Sequence, residues 1–123
     1  MPATTAIGLR RAYDPPEPDD GYRVLVDRLW PRGVRREALG LDEWCREIAP
    51  SPELRRWFGH DPARWAEFRS RYTAELHGNE HVTRLADLAR SGQVTLVYAA
   101  ADPDHNHALV LRDVLDEALG SNP

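Results

Sequence analysis

The chain of 123 residues contains no lysine and only one cysteine. Its sixteen basic residues are all arginine, which excludes a Schiff-base or nucleophilic lysine and a Walker-type phosphate loop. Cys45 cannot form a disulfide within the chain, as is typical of a reducing compartment. Apolar runs are far shorter than the about 18 residues of a membrane span, and residues 1–8 carry no secretory signal. We therefore expect a cytoplasmic protein that makes no membrane contact.

The chain also lacks several catalytic motifs and a net positive charge, which excludes further classes of function. The GxSxG, HExxH, CxxC and GxGxxG motifs are missing, so several large enzyme classes are excluded and we predict no cofactor. Twenty acidic residues give a net charge of −4, which argues against a basic nucleic-acid module. The tight basic group of the chain comprises Arg28, Arg32, Arg35 and Arg36. The length suits a single domain over residues 1–123.

Three segments are predicted to be strands. Residues 6–13 form the weakest of them because they include Gly8 and two arginines. Residues 22–29 and 93–100 are apolar on both faces, which is typical of a parallel sheet covered on each side. Residues 14–21 are rich in proline and aspartate, and we expect them to form a flexible loop.

Capping patterns predict the helices. Asp61-Pro62 is an N-cap pattern followed by an apolar stripe, and residues 80–91 repeat that stripe before Gly92. Ser51-Pro52 begins a shorter helix, and Asp42 is a candidate cap for another. Asp102-Pro103 is predicted to begin the last helix, which ends near Gly120.

These elements predict an α/β fold with a small, mostly parallel sheet packed by helices. The helical segment between residues 29 and 93 acts as a crossover, which makes the second and third strands parallel. Ligands of such sheets bind at the carboxyl ends of the strands. The rule selects residues 27–33 and 99–107 as the place of a functional site.

The first of these segments offers a carboxylate and two arginines. Asp27 and Arg28 end the second strand, and Trp30-Pro31-Arg32-Gly33 follows as a shaped turn. Asp27 is a candidate general base, while Arg28 and Arg32 suit a carboxylate or phosphate and Trp30 a neighbouring substrate contact. The alternatives stay open: Asp27 pairs with an arginine, Trp30 packs in the core, and Arg32 caps a carbonyl.

The second segment is Asp102-Pro103-Asp104-His105-Asn106-His107. If a helix starts at Pro103, the two histidines lie about 200° apart around it, so they cannot bind one metal ion together. We therefore predict no metal site here and expect Asp102 to cap the helix. His107 leans toward the apolar face, either as a hydrogen-bonded core residue or as a catalytic proton shuttle. His60 is either a surface residue or a third member of the site.

Three long motifs then identify a resemblance. DGYRVLVDRLWPRG at 20–33, APSPELRRWFGHDP at 49–62 and DHNHA at 104–108 resemble the YeaO-like family, a bacterial group that carries domain of unknown function 488. The resemblance covers residues 8–119 and implies no established reaction. The broader superfamily often has Cys-His-Arg where this chain has Asn106-His107-Ala108, so the thiol chemistry expected there lacks its cysteine here.

Two classes of function follow from these residues. The first is a small enzyme or ligand-binding protein for an anionic small molecule. Its predicted catalytic residues are Asp27 and His107, and its predicted substrate-binding residues are Arg28, Trp30, Arg32, His105 and Asn106. The second is a non-enzymatic binding or regulatory module whose partner is a protein or, through Arg32, Arg35 and Arg36, a nucleic acid. A homo-oligomer is compatible with either.

Overall fold

A computed structural model describes residues 7–120 of the chain. Position 6, where the first predicted strand begins, lies outside the described residues. The strands are β1 (Ile7–Arg11), β2 (Tyr22–Leu25), β3 (Glu43–Trp44) and β4 (Val94–Tyr98). The helices are α1 (Arg36–Leu39), α2 (Pro52–Phe58), α3 (Trp65–Leu76), α4 (Glu80–Ser91) and α5 (His107–Gly120). Short 3-10 turns cover Pro18–Asp20, Arg46–Ile48 and Pro62–Arg64.

The strands of residues 7–120 form a four-stranded sheet in the order β1-β4-β2-β3, with every pair parallel. Leu96 at the centre of β4 lies opposite Leu9 on one side and Val24 on the other. The predicted α/β fold is confirmed, as is the parallel arrangement of the second and third predicted strands. Each crossover between parallel neighbours carries the chain back along the sheet, so the carboxyl ends of all strands meet at one edge.

One face of the sheet carries the main core. Helices α2 to α5 pack there against Ile7, Val24, Val26, Val94, Leu96 and Tyr98, all of them buried. Phe68 and Tyr72 of α3 are among the largest fully buried side chains, and the Tyr72 hydroxyl donates to the Ile48 carbonyl at 2.6 Å. The apolar stripes seen in the sequence therefore face the sheet. Between residues 7 and 120, no helix has both the length and the hydropathy needed to cross a bilayer.

The opposite face is covered by loops and the short α1. Leu25, Leu39 and Val97 form a smaller buried cluster there. Trp30 and Trp44 pack against that cluster, with their rings 5.4 Å apart in an edge-to-face arrangement. This layer is thinner than the helical one, which is why its aromatic side chains stay partly exposed.

The predicted loop at 14–21 is anchored at its end. Asp20 is buried and accepts hydrogen bonds from Arg10 at 2.8 Å and Arg23 at 2.6 Å. Its carbonyl oxygen accepts a bond from the Thr95 hydroxyl at 2.7 Å, which ties the loop to β4. The flexibility of the preceding residues stays a prediction.

Several helix boundaries match the capping patterns. The Ser51 hydroxyl accepts from the Leu54 N–H ahead of α2, and the Asp61 carboxylate accepts from the Ala63 N–H at the 3-10 turn before α3. Helix α4 has the predicted bounds, residues 80–91. In each case the cap satisfies a backbone donor that the first turn leaves without a partner.

The prediction for Asp42 was wrong. The residues after it form strand β3, of two residues only, followed by a 3-10 turn. The Asp42 carboxylate accepts from the Arg23 N–H at 2.9 Å, so it joins β3 to β2 instead of capping a helix. Two residues are too few to show a strand period, and pairing with β2 determines their conformation.

Candidate functional site

A pocket of about 670 Å³ opens at the carboxyl ends of β2 and β4, on the helical face of the sheet. Its walls come from the segments after these two strands, from α2 and its following turn, and from α3. The polar lining residues are Asp27, Arg28, Arg55, Arg56, His60, Asp102, His105, Asn106 and His107. The apolar ones are Leu29, Ala49, Pro50, Pro52, Phe58, Phe68, Ala99, Ala100 and Ala101. The rule for parallel sheets therefore located the pocket correctly.

Asp27 links the two central strands at the floor of the pocket. Its Oδ2 accepts from the Ala99 N–H at 3.0 Å. Its Oδ1 lies 3.0 Å from His107 Nε2, but that oxygen has no hydrogen bond of good geometry and is buried. One oxygen of the carboxylate thus holds the ends of β2 and β4 together, and the other faces His107.

His107 is the first residue of α5 and lies mostly buried beside Asp27. Its Nε2 is 3.1 Å from the carbonyl oxygen of Val26. A carbonyl oxygen can only accept, so a hydrogen bond to Val26 requires a proton on Nε2. The Tyr72 ring lies 6.2 Å from the imidazole and packs against it edge-on. The sequence prediction that His107 leans inward is confirmed.

The segment before α5 corrects the predicted helix start. Helix α5 begins at His107, and Asn106 is its cap: the Asn106 Oδ1 accepts from the Leu109 N–H at 3.1 Å. The Asn106 amide donates to the Asp102 carbonyl at 2.9 Å, and the residue is buried. Asn106 therefore has a structural hydrogen-bond partner on each side of its amide.

Residues 102–105 form a turn in place of the predicted first helical turn. Asp102 accepts from the Asp104 N–H and lies 2.9 Å from His105 Nδ1. These two contacts hold the pKa of Asp102 below its usual value. His105 lies outside the helix, edge-on to Trp65 with ring centres 5.5 Å apart, so the angular argument about the two histidines does not apply.

Arg28 lines the pocket, but backbone carbonyls already engage most of its guanidinium. Its Nη2 donates to Ala49 at 3.2 Å, and its Nε and Nη2 each reach Pro50 at 3.4 Å. These bonds fasten the end of β2 to the segment that precedes α2. Only Nη1 of the Arg28 guanidinium therefore remains for the predicted contact with an anion.

Trp30 and Arg32 do not line this pocket. Trp30 lies on the other face of the sheet, where its indole N–H donates to the Val34 carbonyl at 2.7 Å. Arg32 is exposed, and its carbonyl oxygen accepts from the Tyr13 hydroxyl at 3.1 Å. The turn after β2 reverses the chain away from the helical face, so these two predicted contacts are not brought to the other site residues.

Sequence reasoning missed two pocket residues, Arg55 and Arg56, and left a third, His60, open. All three come from α2 or the turn after it and line the pocket. Neither Arg55 nor Arg56 has an ion-pair or hydrogen-bond partner for its guanidinium within residues 7–120. The adjacent arginines were visible in SPELRRWFGH, but only the packing of α2 on α3 turns them toward the strand ends. Phe58 and Phe68 make that contact, stacked with ring centres 4.3 Å apart.

A group with metal-ligand chemistry lies elsewhere in the described part of the chain. Ligand atoms of Cys45, Glu47 and His81 lie within 4.8 Å of one another. Arg84 Nη2 already contacts two of them, 3.7 Å from the Cys45 sulfur and 3.1 Å from His81 Nδ1. Burial raises the pKa of the Cys45 thiol to about 11, so the neutral thiol is favoured. A guanidinium thus takes the position that a cation would need.

Comparison with known proteins places the chain in a family. Residues 6–123 match the family model DUF488-N3i, described as the inactive DUF488-N3 subclade. The chain belongs to this subclade. The earlier resemblance to the YeaO-like group is confirmed by an Escherichia coli protein named Uncharacterized protein YeaO, which is 52% identical over 110 residues. That match covers 89% of this chain and 96% of the relative.

Two mycobacterial proteins are also similar to the chain. Uncharacterized protein Mb3100c of Mycobacterium bovis is 42% identical over 116 residues, covering 94% of this chain and 98% of its own. Uncharacterized protein Rv3073c of Mycobacterium tuberculosis shows the same identity and coverage. No solved structure matches the chain significantly. The relatives are bacterial, and their names assign the subclade no reaction.

Proposed function

We propose that the protein binds a small organic anion in the pocket at the strand ends and does not convert it chemically. The observation that carries this proposal is the pair Arg55 and Arg56. Both residues line the pocket, and neither guanidinium has an ion-pair or hydrogen-bond partner among the described residues. A guanidinium presents a planar set of donors that suits carboxylate and phosphate oxygens, so two adjacent ones favour an anionic occupant.

The shape and lining of the pocket support a small molecule. A volume of about 670 Å³ lies within the range of small-molecule sites. Half of the lining residues are apolar, including the stacked rings of Phe58 and Phe68. Such a surface contacts the body of an organic ligand, while the arginines contact its charged group.

Asn106 supports binding without turnover. Where the broader superfamily often has a cysteine, this chain has an amide that caps α5 and donates to the Asp102 carbonyl. An amide held in this way is no nucleophile. The description of the subclade as inactive agrees with this proposal.

Asp27 and His107 have a different role in this proposal from the acid–base role predicted from the sequence. Their polar atoms contact each other, the Ala99 N–H and the Val26 carbonyl, and these contacts shape the pocket floor. Turnover of a bound anion would support the catalytic role instead.

The first test is calorimetric titration with benzoate and phenyl phosphate. The double substitution Arg55→Gln/Arg56→Gln is expected to weaken binding of the better probe at least about tenfold, because both charged donors are lost. The matched control is Arg35→Gln/Arg36→Gln, which changes an equally exposed adjacent pair outside the pocket. We expect the control to bind like the wild type.

Equal binding by the wild type and the Arg55→Gln/Arg56→Gln variant would contradict the proposal. Phenol release from phenyl phosphate above the protein-free rate would contradict its second half, the absence of turnover. The nucleic-acid alternative through Arg32, Arg35 and Arg36 has less support, because Arg36 lies over the Trp30 ring and the net charge is −4.

A further inference from the structure

The turn after α2 holds a residue in a strained backbone conformation at the pocket. His60 has φ 57°, and no other residue of the described range except glycine has a positive φ. This left-handed conformation is unfavourable for a residue with a side chain, and such strain is concentrated at ligand sites. The preceding Gly59, with φ 54°, shares the conformation. His60 lines the pocket, and its ring lies 6.2 Å from the Phe58 ring.

Among the described residues, no carboxylate forms an ion pair with Arg55 or Arg56. The two pocket carboxylates, Asp27 and Asp102, already have partners on the opposite wall. Arg55 and Arg56, which are adjacent in the chain, therefore add two positive charges to the pocket lining that neither of these carboxylates pairs with. A carboxylate neutralises one of them, whereas a phosphomonoester carries a charge of about −1.5 to −2 at neutral pH and has three acceptor oxygens.

The apolar part of the pocket lies beside Arg55 and Arg56. Phe58 and Phe68 form its stacked aromatic side, and the three alanines after β4 line it further. Leu29 also lines the pocket, and its side chain is 63% exposed. An inorganic ion alone would leave the apolar part of the pocket unfilled.

We propose that the ligand of this pocket is a phosphomonoester with an apolar, ring-bearing body, its phosphate held by Arg55, Arg56 and His60. This inference rests on the proposed binding function and names the class of its ligand. The guanidiniums contact the phosphate oxygens as planar donors, and the imidazole of His60 adds a third donor. The ring of the ligand lies between Leu29 and the Phe58–Phe68 side.

The experiment compares four probes by calorimetry: phenyl phosphate, benzoate, inorganic phosphate and phenol. We expect phenyl phosphate to bind at least about tenfold more tightly than benzoate or inorganic phosphate, and phenol not to bind. If the affinity for phenyl phosphate exceeds that for benzoate by less than this factor, the ligand is not a phosphomonoester, although anion binding still holds. If it exceeds that for inorganic phosphate by less than this factor, the claim that the ligand carries a ring-bearing body is wrong. If no anion binds, the proposed function fails as well.

Two variants test the assigned contacts. His60→Gly is expected to weaken phenyl phosphate binding about fivefold without lowering the melting temperature, because glycine adopts this φ without strain. A loss of melting temperature with unchanged affinity would show a purely structural role and overturn the contact. Leu29→Ser is expected to reduce the preference for phenyl phosphate over inorganic phosphate at least threefold. An unchanged preference would overturn the placement of the ring.

Discussion

Replacing Asp20 by asparagine is expected to lower the free energy of unfolding by about 3 kcal/mol at neutral pH. The Asp20 carboxylate is 4% exposed and accepts from two arginines, Arg10 at 2.8 Å and Arg23 at 2.6 Å. Arg23 is buried as well, and its other donors reach the Leu39 carbonyl. Asparagine keeps the shape but removes the charge, so the buried guanidinium loses its counter-ion.

Urea unfolding measures this loss, and Asp19→Asn is the matched control because Asp19 is an exposed neighbour. The control is expected to change the free energy of unfolding by less than about 0.5 kcal/mol. If Asp20→Asn changed stability no more than the control, the ion pair would not be holding the loop on the sheet.

The same substitution should change the acid dependence of stability. Burial alone would raise the pKa of Asp20, but bonds from Arg10, the Glu17 N–H and Arg23 outweigh it and lower the pKa. A carboxylate with a lowered folded-state pKa stabilises the protein above its unfolded pKa and loses this contribution as pH falls through the folded value. The stability difference between wild type and Asp20→Asn should therefore shrink below about pH 4.

Substituting Gly21 by alanine is expected to destabilise the protein by about 3 kcal/mol or more. Gly21 has φ 67°, and an added Cβ would lie 2.3 Å from the Gln93 carbonyl oxygen. That oxygen accepts the Tyr22 N–H at 2.9 Å where β2 meets β4. The substitution therefore combines an unfavourable φ with a backbone collision at the start of the central strand pair.

Gly33→Ala separates these two contributions. Gly33 has φ 79°, but nothing lies within 4 Å of its added Cβ, so only the conformational cost of about 1 kcal/mol is expected. Thermal or urea unfolding of both variants gives the comparison. Equal losses at the two positions would mean that the sheet yields at Gln93 and that the close approach has no cost.

The sequence predicted those elements whose signals are local. The apolar character of residues 22–29 and 93–100 predicted β2 and β4, and their parallel pairing followed from the length of the crossover. Glycine and capping residues predicted α2, α4 and the 3-10 turn that leads into α3, because each satisfies a backbone donor or ends a helix within a few residues. The rule that ligands bind at the carboxyl ends of parallel strands then selected the two segments after β2 and β4. Five predicted site residues from these segments line one pocket: Asp27, Arg28, His105, Asn106 and His107.

The sequence predictions were wrong where contacts between distant parts of the chain determine the local structure. Asp102-Pro103 has a helix-start pattern, but Asp102 binds the Asp104 N–H in a turn and leaves Asn106 to cap α5. Arg32 lies seven residues after the end of β2, and its turn carries it away from the helical face. Arg55 and Arg56 lie 23 and 24 residues further along the chain. They reach the pocket because α2 packs on α3, which no local pattern reveals.

The most direct test of anion binding at α2 is an NMR titration with phenyl phosphate that follows the arginine side-chain Nε–Hε resonances. Binding in the proposed pocket predicts saturable shifts that are largest at Arg55 and Arg56 and absent at Arg32, Arg35 and Arg36. Shifts at Arg32 with the α2 arginines unchanged would contradict the account and favour the site first predicted at the turn after β2. The absence of saturable shifts at any arginine would contradict anion binding by this fold.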